Sequence, residues 1–148
     1  MEGSKIQIIG TFVLDASVII KWFSKEEFTD IALKFRSKFV EKEIEIVVPD
    51  LLLYEISNVL RYNKNFSRKD VKNAIETLID MDISILVPSQ DIINLAIDFA
   101  FRYDITFYDA FYIALAETLG VYFVTADRKL YESVARIPRV RFLTEFLE

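Results

Sequence analysis

Two carboxylates, Asp109 and Asp127, lie in one helix–strand segment spanning residues 105–127. Asp109 follows Thr106 with the three-residue spacing of a capping box, which predicts it in the first turn of a helix. Gly120 can end that helix in a left-handed conformation. The apolar run after it predicts a buried strand, and Asp127 comes just past the carboxyl end of that strand. Because ligand sites in open α/β sheets lie outside the carboxyl ends of the strands, these two acids indicate a metal site.

Two further acids occupy comparable positions. Asp15 follows a first β-rich run, and Glu55 lies on the helix after the second strand, at the edge of its apolar face. If Asp15 and Asp127 end neighbouring parallel strands, the acids open onto one crevice. Two carboxylates about 4 Å apart repel by about 4 kcal/mol at an effective dielectric of about 20. Such a cluster needs protons or a hard cation such as Mg²⁺ or Mn²⁺, and these ions can activate water and neutralise a phosphate under attack.

Each acid also has an ordinary structural explanation. Asp15 and Asp127 could cap the helices that follow them, and Asp109 could do no more than complete its capping box. Glu55 could be a solvated residue on the flank of its helix. The distinction depends on whether the four side chains meet.

The composition narrows the chemistry. The 148 residues are 53% hydrophobic and 28% charged, which indicates one globular domain. The chain has no His and no Cys, so catalytic triads, His-ligated zinc and thiolate chemistry are excluded. A net charge of −5 argues against nucleic-acid binding by bulk electrostatics, but it does not exclude an enzyme that meets phosphates through cations. Aromatic residues at 14% exceed what one core needs, so some are expected on a partner surface.

The order of elements predicts an α/β fold. Short apolar runs, expected to be strands, alternate with helical patterns, which implies a mostly parallel sheet covered on both faces. Residues 1–10 are interpreted as a loosely attached lead-in and residues 11–148 as one domain. No apolar run reaches membrane-spanning length and the amino end lacks a signal-peptide core, so we expect no membrane association and a cytoplasmic location.

Three other phosphate-handling folds do not match. A haloacid-dehalogenase-type phosphatase needs a DxD after the first strand, where position 17 is Ser. A receiver domain needs a phospho-acceptor Asp on the third strand, which here ends in Val87 and Pro88. A P-loop needs GxxxxGK[ST], and the chain has three glycines in total.

Four stretches together resemble a PIN domain, and within that family the VapC-type toxin ribonucleases. They are FVLDASVIIKWF, the YE of DLLLYEISNVLR, FYDAFYIALAETLG and VTADRKL, and the resemblance covers about Phe12 to Leu143. It implies a three-layer PIN-like fold: a parallel five-stranded sheet of order 3-2-1-4-5 with helices on both faces. It also implies divalent-metal-dependent endoribonuclease activity, a homodimer, and inhibition by a small antitoxin protein.

The resemblance assigns roles to the acids. The residues that match the acidic site of PIN domains are Asp15, Glu55, Asp109 and Asp127. We hypothesise that the three aspartates hold Mg²⁺ or Mn²⁺, directly or through water. Glu55 is expected to be a further ligand or to orient the attacking water.

Hydroxyl and basic residues complete the predicted site. Ser17 and Thr125 match the supporting hydroxyl positions of the family and are expected to hydrogen-bond the carboxylates. Lys21, Arg128 and Lys129 are candidate phosphate contacts, although charged residues near a helix start are usually a solvated face.

Two alternative functions stay open at this point. One is an RNA-processing or decay nuclease with the same fold but outside toxin–antitoxin pairs. The other is a non-catalytic PIN-fold binding module. Stabilisation by Mn²⁺ would argue against the module, and growth arrest relieved by a neighbouring small gene product would indicate the toxin.

Overall fold

The computed structural model describes residues 4–146. The strands are Gly10–Leu14 (β1), Ile44–Pro49 (β2), Ser84–Leu86 (β3), Tyr122–Thr125 (β4) and Val140–Phe142 (β5). The helices are Ala16–Ile19 (α1), Thr29–Val40 (α2), Leu51–Arg61 (α3), Arg68–Asp80 (α4), Gln90–Tyr103 (α5), Phe107–Leu119 (α6) and Arg128–Val134 (α7). Short 3-10 turns at Ile20–Trp22 and Leu143–Glu145 follow α1 and β5.

The strands form one parallel sheet with β1 at its centre. The order is β3-β2-β1-β4-β5, which confirms the predicted topology. Leu14 pairs in register with Val124, so the residues that follow them, Asp15 and Thr125, are neighbours at the carboxyl edge of the sheet. This register is what brings two chain segments separated by more than a hundred positions to one place.

Both faces of the sheet are covered, as the continuous apolar strands predict. Successive residues of a strand point to opposite faces, so Phe12 and Leu14 belong to one core and Val13 belongs to the other. The first core includes residues of α2, α3 and α4, and the second is formed with α6 and α7. Helix α5 packs on the outer side of α6, where Ala96 and Phe111 share a third cluster.

Helix α6 is the most deeply buried helix among residues 4–146. Every residue from Ala110 to Ala116 is buried, because the sheet covers one side of the helix and α5 covers the other. Thr106 caps its amino end and Gly120, with φ 70°, ends it in the left-handed conformation that the sequence predicts. No helix of the described residues combines the length and the apolar character that a bilayer-crossing segment needs.

The expectation of a loosely attached lead-in is wrong for residues 4–10. The Ile6 N–H donates to the Glu145 carbonyl at 2.8 Å, Ile6 bridges to Phe146, and Ile8 is 4% exposed in the core. The segment is fixed because it covers the edge of the core next to the carboxyl-terminal residues. The division of the chain into a lead-in and a domain at residue 10 stays a prediction.

Three apolar residues that the helical patterns place in the core are exposed. Val59 on α3, Ile79 on α4 and Ile97 on α5 are 50%, 53% and 41% exposed. Their helices are amphipathic, but the apolar stripe of each is wider than the strip that the sheet and the neighbouring helices cover. These helices therefore present apolar surface to the outside.

Candidate active site

Asp15 is a buried carboxylate at the carboxyl end of the central strand. It is 5% exposed, and its Oδ2 accepts hydrogen bonds from the hydroxyls of Thr125 at 2.7 Å and Ser17 at 2.8 Å. Its side chain caps no helix N–H, although Asp15 directly precedes α1. The structural explanation of Asp15 as a helix cap is therefore wrong.

The two hydroxyls are themselves held by backbone donors. Ser17 Oγ accepts from the Ala126 N–H at 2.9 Å, and Thr125 Oγ1 accepts from the Asp127 N–H at 3.0 Å. Because these backbone groups occupy acceptor positions of the hydroxyls, the hydroxyl protons are directed at Asp15. The network joins the end of β1 to the end of β4 and fixes Oδ2, while no hydrogen bond among residues 4–146 uses Oδ1.

Burial and like charge weaken the acidity of Asp15. Its pKa is raised to about 7, chiefly by burial, with a smaller contribution from the negative charges of Asp109 and Glu55, and the hydrogen bonds from Thr125 and Ser17 oppose the rise. A carboxyl group in this state readily exchanges its proton for another cation near neutral pH. Asp15 thus has the properties of a site for a positive charge rather than of a structural acid.

Asp109 lies at the amino end of α6 and differs from an ordinary capping acid. Thr106 Oγ1 accepts from the Asp109 N–H at 3.1 Å, but the Asp109 carboxylate does not bond back to the Thr106 N–H. Helix α4 shows the complete box, in which Asp70 accepts from the Ser67 N–H at 2.9 Å.

The pKa values of these two acids move in opposite directions. The Ser67 backbone bond lowers the pKa of Asp70. Burial raises the pKa of Asp109, hydrogen bonding with the Thr106 side chain opposes the rise, and the charge of Asp127 adds to it. The same sequence spacing therefore yields a structural acid on α4 and an acid free for another role on α6.

Asp127 combines a structural role with a place at the site. Its Oδ1 accepts from the Leu130 N–H at 3.0 Å and caps α7, as the structural explanation predicts. Its charge nevertheless raises the pKa of Asp109, so the two carboxylates are close enough to interact electrostatically. None of the hydrogen bonds within residues 4–146 occupies Oδ2, which leaves that oxygen available.

Glu55 is half-buried on α3, at the edge of the apolar face, where the sequence predicts it. Its Oε1 accepts a hydrogen bond of 2.6 Å from the phenol of Tyr112. Burial raises the pKa of Glu55, the Tyr112 hydrogen bond opposes the rise, and the charge of Asp109 adds to it. Tyr112 was missed by the sequence analysis, although its position three residues after Asp109 places it on the same side of α6.

The charges of the four acids act on one another. Asp15 is affected by Asp109 and Glu55, Glu55 by Asp109, and Asp109 by Asp127. Among the ion pairs of residues 4–146, none involves any of the four. The repulsion is not relieved by Lys or Arg, so the donor set fits a hard divalent cation by its chemistry.

The carboxylates do not form a closed metal cage. Within residues 4–146, no three Asp or Glu side chains come close enough together to hold an ion as they stand. Mg²⁺ usually takes one or two carboxylates and keeps several waters, so a site of this openness agrees with its coordination habits.

The three predicted phosphate contacts lie in different surroundings. Lys21 is 8% exposed and pairs with Glu26 at 3.3 Å, so a phosphate would have to displace that partner. Arg128 is exposed and pairs with Glu27 at 3.1 Å. Lys129, also exposed, makes no ion pair within the described residues. Of the three, Lys129 is the most accessible to a ligand.

Comparison with known proteins decides the family. A family model for the PIN domain matches residues 12–136. The chain belongs to the PIN domain family. Ribonuclease VapC3 of Pyrobaculum aerophilum is 32% identical to it over 124 residues, which cover 81% of this chain and 92% of that relative. The resemblance recognised in the sequence is confirmed.

Solved structures show the same PIN fold. A toxin–antitoxin complex from Klebsiella pneumoniae has a TM-score of 0.68 at 17% identity and covers 88% of this chain and 96% of that one. VapC20 of Mycobacterium tuberculosis, described as a sarcin-ricin loop cleaving toxin, has a TM-score of 0.65 at 15% identity and covers 82% and 94%. At these identities the likeness establishes the three-layer architecture and sheet order alone.

Proposed function

We propose that this PIN domain is a divalent-metal-dependent endoribonuclease and the toxin of a VapBC-type toxin–antitoxin pair, acting in the cytoplasm. The observation that carries the proposal is Asp15, a buried carboxylate whose neighbours Glu55 and Asp109 are also acids and which forms no ion pair with a basic residue in the described part of the chain. A protein used only as a scaffold would gain nothing from this repulsion. The relation to Ribonuclease VapC3 supports RNA as the substrate.

The three aspartates are the residues that would hold Mg²⁺ or Mn²⁺, directly or through water. When bound, the ion supplies charge neutralisation at the phosphate and a more acidic water. Ser17 and Thr125 hold Oδ2 of Asp15 and thereby set the direction of its other oxygen. Glu55, with Oε1 engaged by Tyr112, can accept a proton or a hydrogen bond from water through Oε2.

Cleavage of RNA by variants tests the proposal. We expect the wild-type protein to cut RNA with Mg²⁺ or Mn²⁺ and to stop when EDTA is added. Asp15→Asn should lose at least about a hundredfold in rate, because it removes one charge from the cation site. Asp70→Asn is the control for the loss of one acidic charge, since Asp70 is a surface acid at the start of a helix and its pKa is lowered rather than raised. Equal rates for wild type and Asp15→Asn would remove Asp15 from the mechanism.

An apolar groove between α3 and α4 is the proposed binding site of the antitoxin. Its volume is about 810 Å³. Apolar side chains line it together with basic and acidic ones: Phe66, Val71, Ile75 and Ile79, then Arg61, Arg68 and Lys72, then Glu76 and Asp80. This combination suits an amphipathic segment that buries one face and pairs its charges at the rim. Toxin–antitoxin complexes among the related structures support a partner of this kind.

Co-purification tests whether the antitoxin binds in the groove between α3 and α4. The small protein encoded beside this gene should co-purify with the wild type but not with Ile79→Asp, which places a charge in the groove. Val40→Asp is the control, because Val40 is 59% exposed, close to the 53% of Ile79, and does not line the groove. Retention of the partner by Ile79→Asp would exclude the groove. Growth arrest relieved by that partner would separate a toxin from an RNA-decay enzyme.

We also propose a homodimer, on the basis of the exposed aromatic residues. Tyr54, Tyr62 and Phe101 are 63%, 73% and 88% exposed, and an interface with a second copy would remove their rings from water. These side chains agree with the aromatic surplus noted in the sequence. Sedimentation equilibrium should give twice the chain mass, and Phe101→Glu should shift the population toward the monomer.

A further inference from the structure

Tyr112 is a fully buried tyrosine in the middle of the most apolar helix. It is 0% exposed, and its ring packs against Phe123 of β4 with 5.9 Å between centroids. Phenylalanine would fill this position equally well if packing were its only task. The added hydroxyl needs a hydrogen-bond partner when buried, and the partner here is Glu55 Oε1 at 2.6 Å.

The hydrogen bond joins two elements that each carry a site acid. Tyr112 and Asp109 are three residues apart on α6, and Glu55 lies on α3, 57 positions earlier in the chain. The ring is held by the sheet, so the phenol is a rigid donor. Glu55 is a long, half-buried side chain that loses rotamer freedom when it is ordered. Tyr112 makes the one hydrogen bond that orders it among the described residues.

Tyr112 is a neutral hydrogen-bond donor at this site. Burial is the main cause that raises the pKa of Tyr112, and the negative charges of Asp15, Glu55 and Asp109 raise it further, so the phenol keeps its proton. A donor at this point directs one carboxylate oxygen of Glu55 toward α6 and leaves the other without a described partner. The hydrogen bond to Oε1 thus leaves Oε2 of Glu55 as the oxygen that can face the site.

We propose that Tyr112 is a positioning residue for RNA cleavage, which acts by holding Glu55 through Oε1 so that Oε2 is presented to the attacking water. The inference rests on the proposed function, in which Glu55 takes part in cleavage. It goes further because it assigns a task to a residue outside the acidic set. Of the four acids, Glu55 is the one that accepts a hydrogen bond from Tyr112 within residues 4–146.

The replacement Tyr112→Phe tests the inference, because it keeps the ring and removes only the hydroxyl. We expect kcat for RNA cleavage to fall about tenfold to a hundredfold with KM nearly unchanged, since a misplaced Glu55 impairs water attack and not RNA binding. A crystal structure of the metal-free variant should show the Glu55 carboxylate in more than one conformer. This second readout does not depend on activity.

Tyr122→Phe is the matched control. Tyr122 is a partly buried tyrosine at the start of β4, packed against Phe146, and its hydroxyl makes no hydrogen bond within the described residues. Removal of the Tyr122 hydroxyl should leave kcat and the conformation of the Glu55 carboxylate unchanged. An equal fall in kcat for both variants, or a single unchanged Glu55 conformer in Tyr112→Phe, would overturn the positioning role.

Glu55→Gln distinguishes a failure of the positioning role of Tyr112 from a failure of the proposed role of Glu55. If Glu55→Gln cleaves poorly and Tyr112→Phe cleaves at the wild-type rate, the inference about Tyr112 fails and the proposed function stands. If Glu55→Gln cleaves as well as wild type, the proposed role of Glu55 fails and the role of Tyr112 fails with it. Impaired cleavage by both variants, with RNA binding retained, supports the inference.

Discussion

At the residue scale, the burial of the Asp15 carboxylate costs folding free energy. The carboxylate is buried among other acids, and two hydroxyls are its hydrogen-bond donors among the described residues. Burial of a carboxylate without a cationic partner disfavours the folded state at pH values where the group is ionised. A position so costly to the fold is informative, because packing alone would favour a neutral side chain there.

Asp15→Asn should therefore stabilise the metal-free protein. The amide oxygen can accept the same two hydroxyl protons while the negative charge is removed. In EDTA at about pH 8 we expect a rise of several degrees in the thermal midpoint, since about 1 kcal/mol corresponds to about 2–4 °C in chains of this size. Differential scanning calorimetry measures it. A lower midpoint would show that the ionised carboxylate contributes to folding in a way that the buried geometry does not indicate.

The stability of the metal-free wild type should fall as pH rises. The pKa of Asp15 is about 7 in the fold against an ordinary value of 3.8, so the folded protein binds this proton more tightly than the unfolded chain. The resulting stabilisation is complete below the unfolded value and is lost as pH rises through about 7. The raised pKa values of Glu55 and Asp109 act in the same direction.

Denaturant unfolding in EDTA at about pH 5 and about pH 8 measures this slope. Asp15→Asn should flatten it, and added Mn²⁺ should stabilise the wild type more at the higher pH because protons and metal compete for the same oxygens. A wild-type stability that rises over this interval would contradict the raised pKa.

At the scale of the element, α4 and α6 start with the same local pattern and use it differently. Ser67 and Asp70 close a reciprocal capping box, whereas Thr106 caps α6 without a returned bond from Asp109. The difference arises because Asp70 lies at the surface and Asp109 is half-buried beside Asp127. Residue spacing thus predicts that a helix is capped, but whether the acid is also available for another role depends on its burial and on neighbouring charges.

Substitutions of Asp70 and Asp109 should have different effects on thermal stability. Asp70→Asn should lower the thermal midpoint because it loses charge-assisted bonding to the Ser67 N–H, and cleavage should be retained. Asp109→Asn should leave the midpoint unchanged or higher, with cleavage lost. Thermal unfolding in EDTA and RNA cleavage measure the two effects side by side. A midpoint that falls equally in both variants would assign Asp109 to capping.

At the scale of the whole molecule, the two ends of the described chain close the same core. Phe146 is fully buried and packs edge-on against Phe12 and Phe35, at centroid distances of 5.7 and 5.2 Å. Beside it, Ile6 bridges the amino-terminal segment to the carboxyl-terminal one. This packing lies away from the carboxyl ends of the strands, so it supports the fold and not the site.

Phe146→Ala should destabilise the protein without altering its chemistry. Loss of a buried phenylalanine costs about 3–5 kcal/mol, which denaturant unfolding can measure. Below the lowered unfolding transition, kcat and the Mn²⁺ dependence of RNA cleavage should match the wild type. A changed metal dependence in the folded variant would show that this core is coupled to the acids.

The sequence by itself determined the order of the elements, the parallel sheet and the four acids. These depend on local signals: the period of apolar residues, Gly120 as a helix end, and acids placed just after strands. The resemblance to PIN domains agreed with each of them. The metal roles of Asp15, Asp109 and Asp127 and the phosphate contacts stay predictions.

Only the tertiary structure decided how those residues are used. Asp15 has a raised pKa because the surrounding core excludes water from it, and the hydrogen bond from Thr125, 110 positions away, opposes that rise. Glu55 has a fixed oxygen because the phenol of Tyr112 reaches it from another helix. Burial, desolvation and hydrogen bonds between distant segments depend on how elements pack, and residue spacing along the chain carries no measure of that packing.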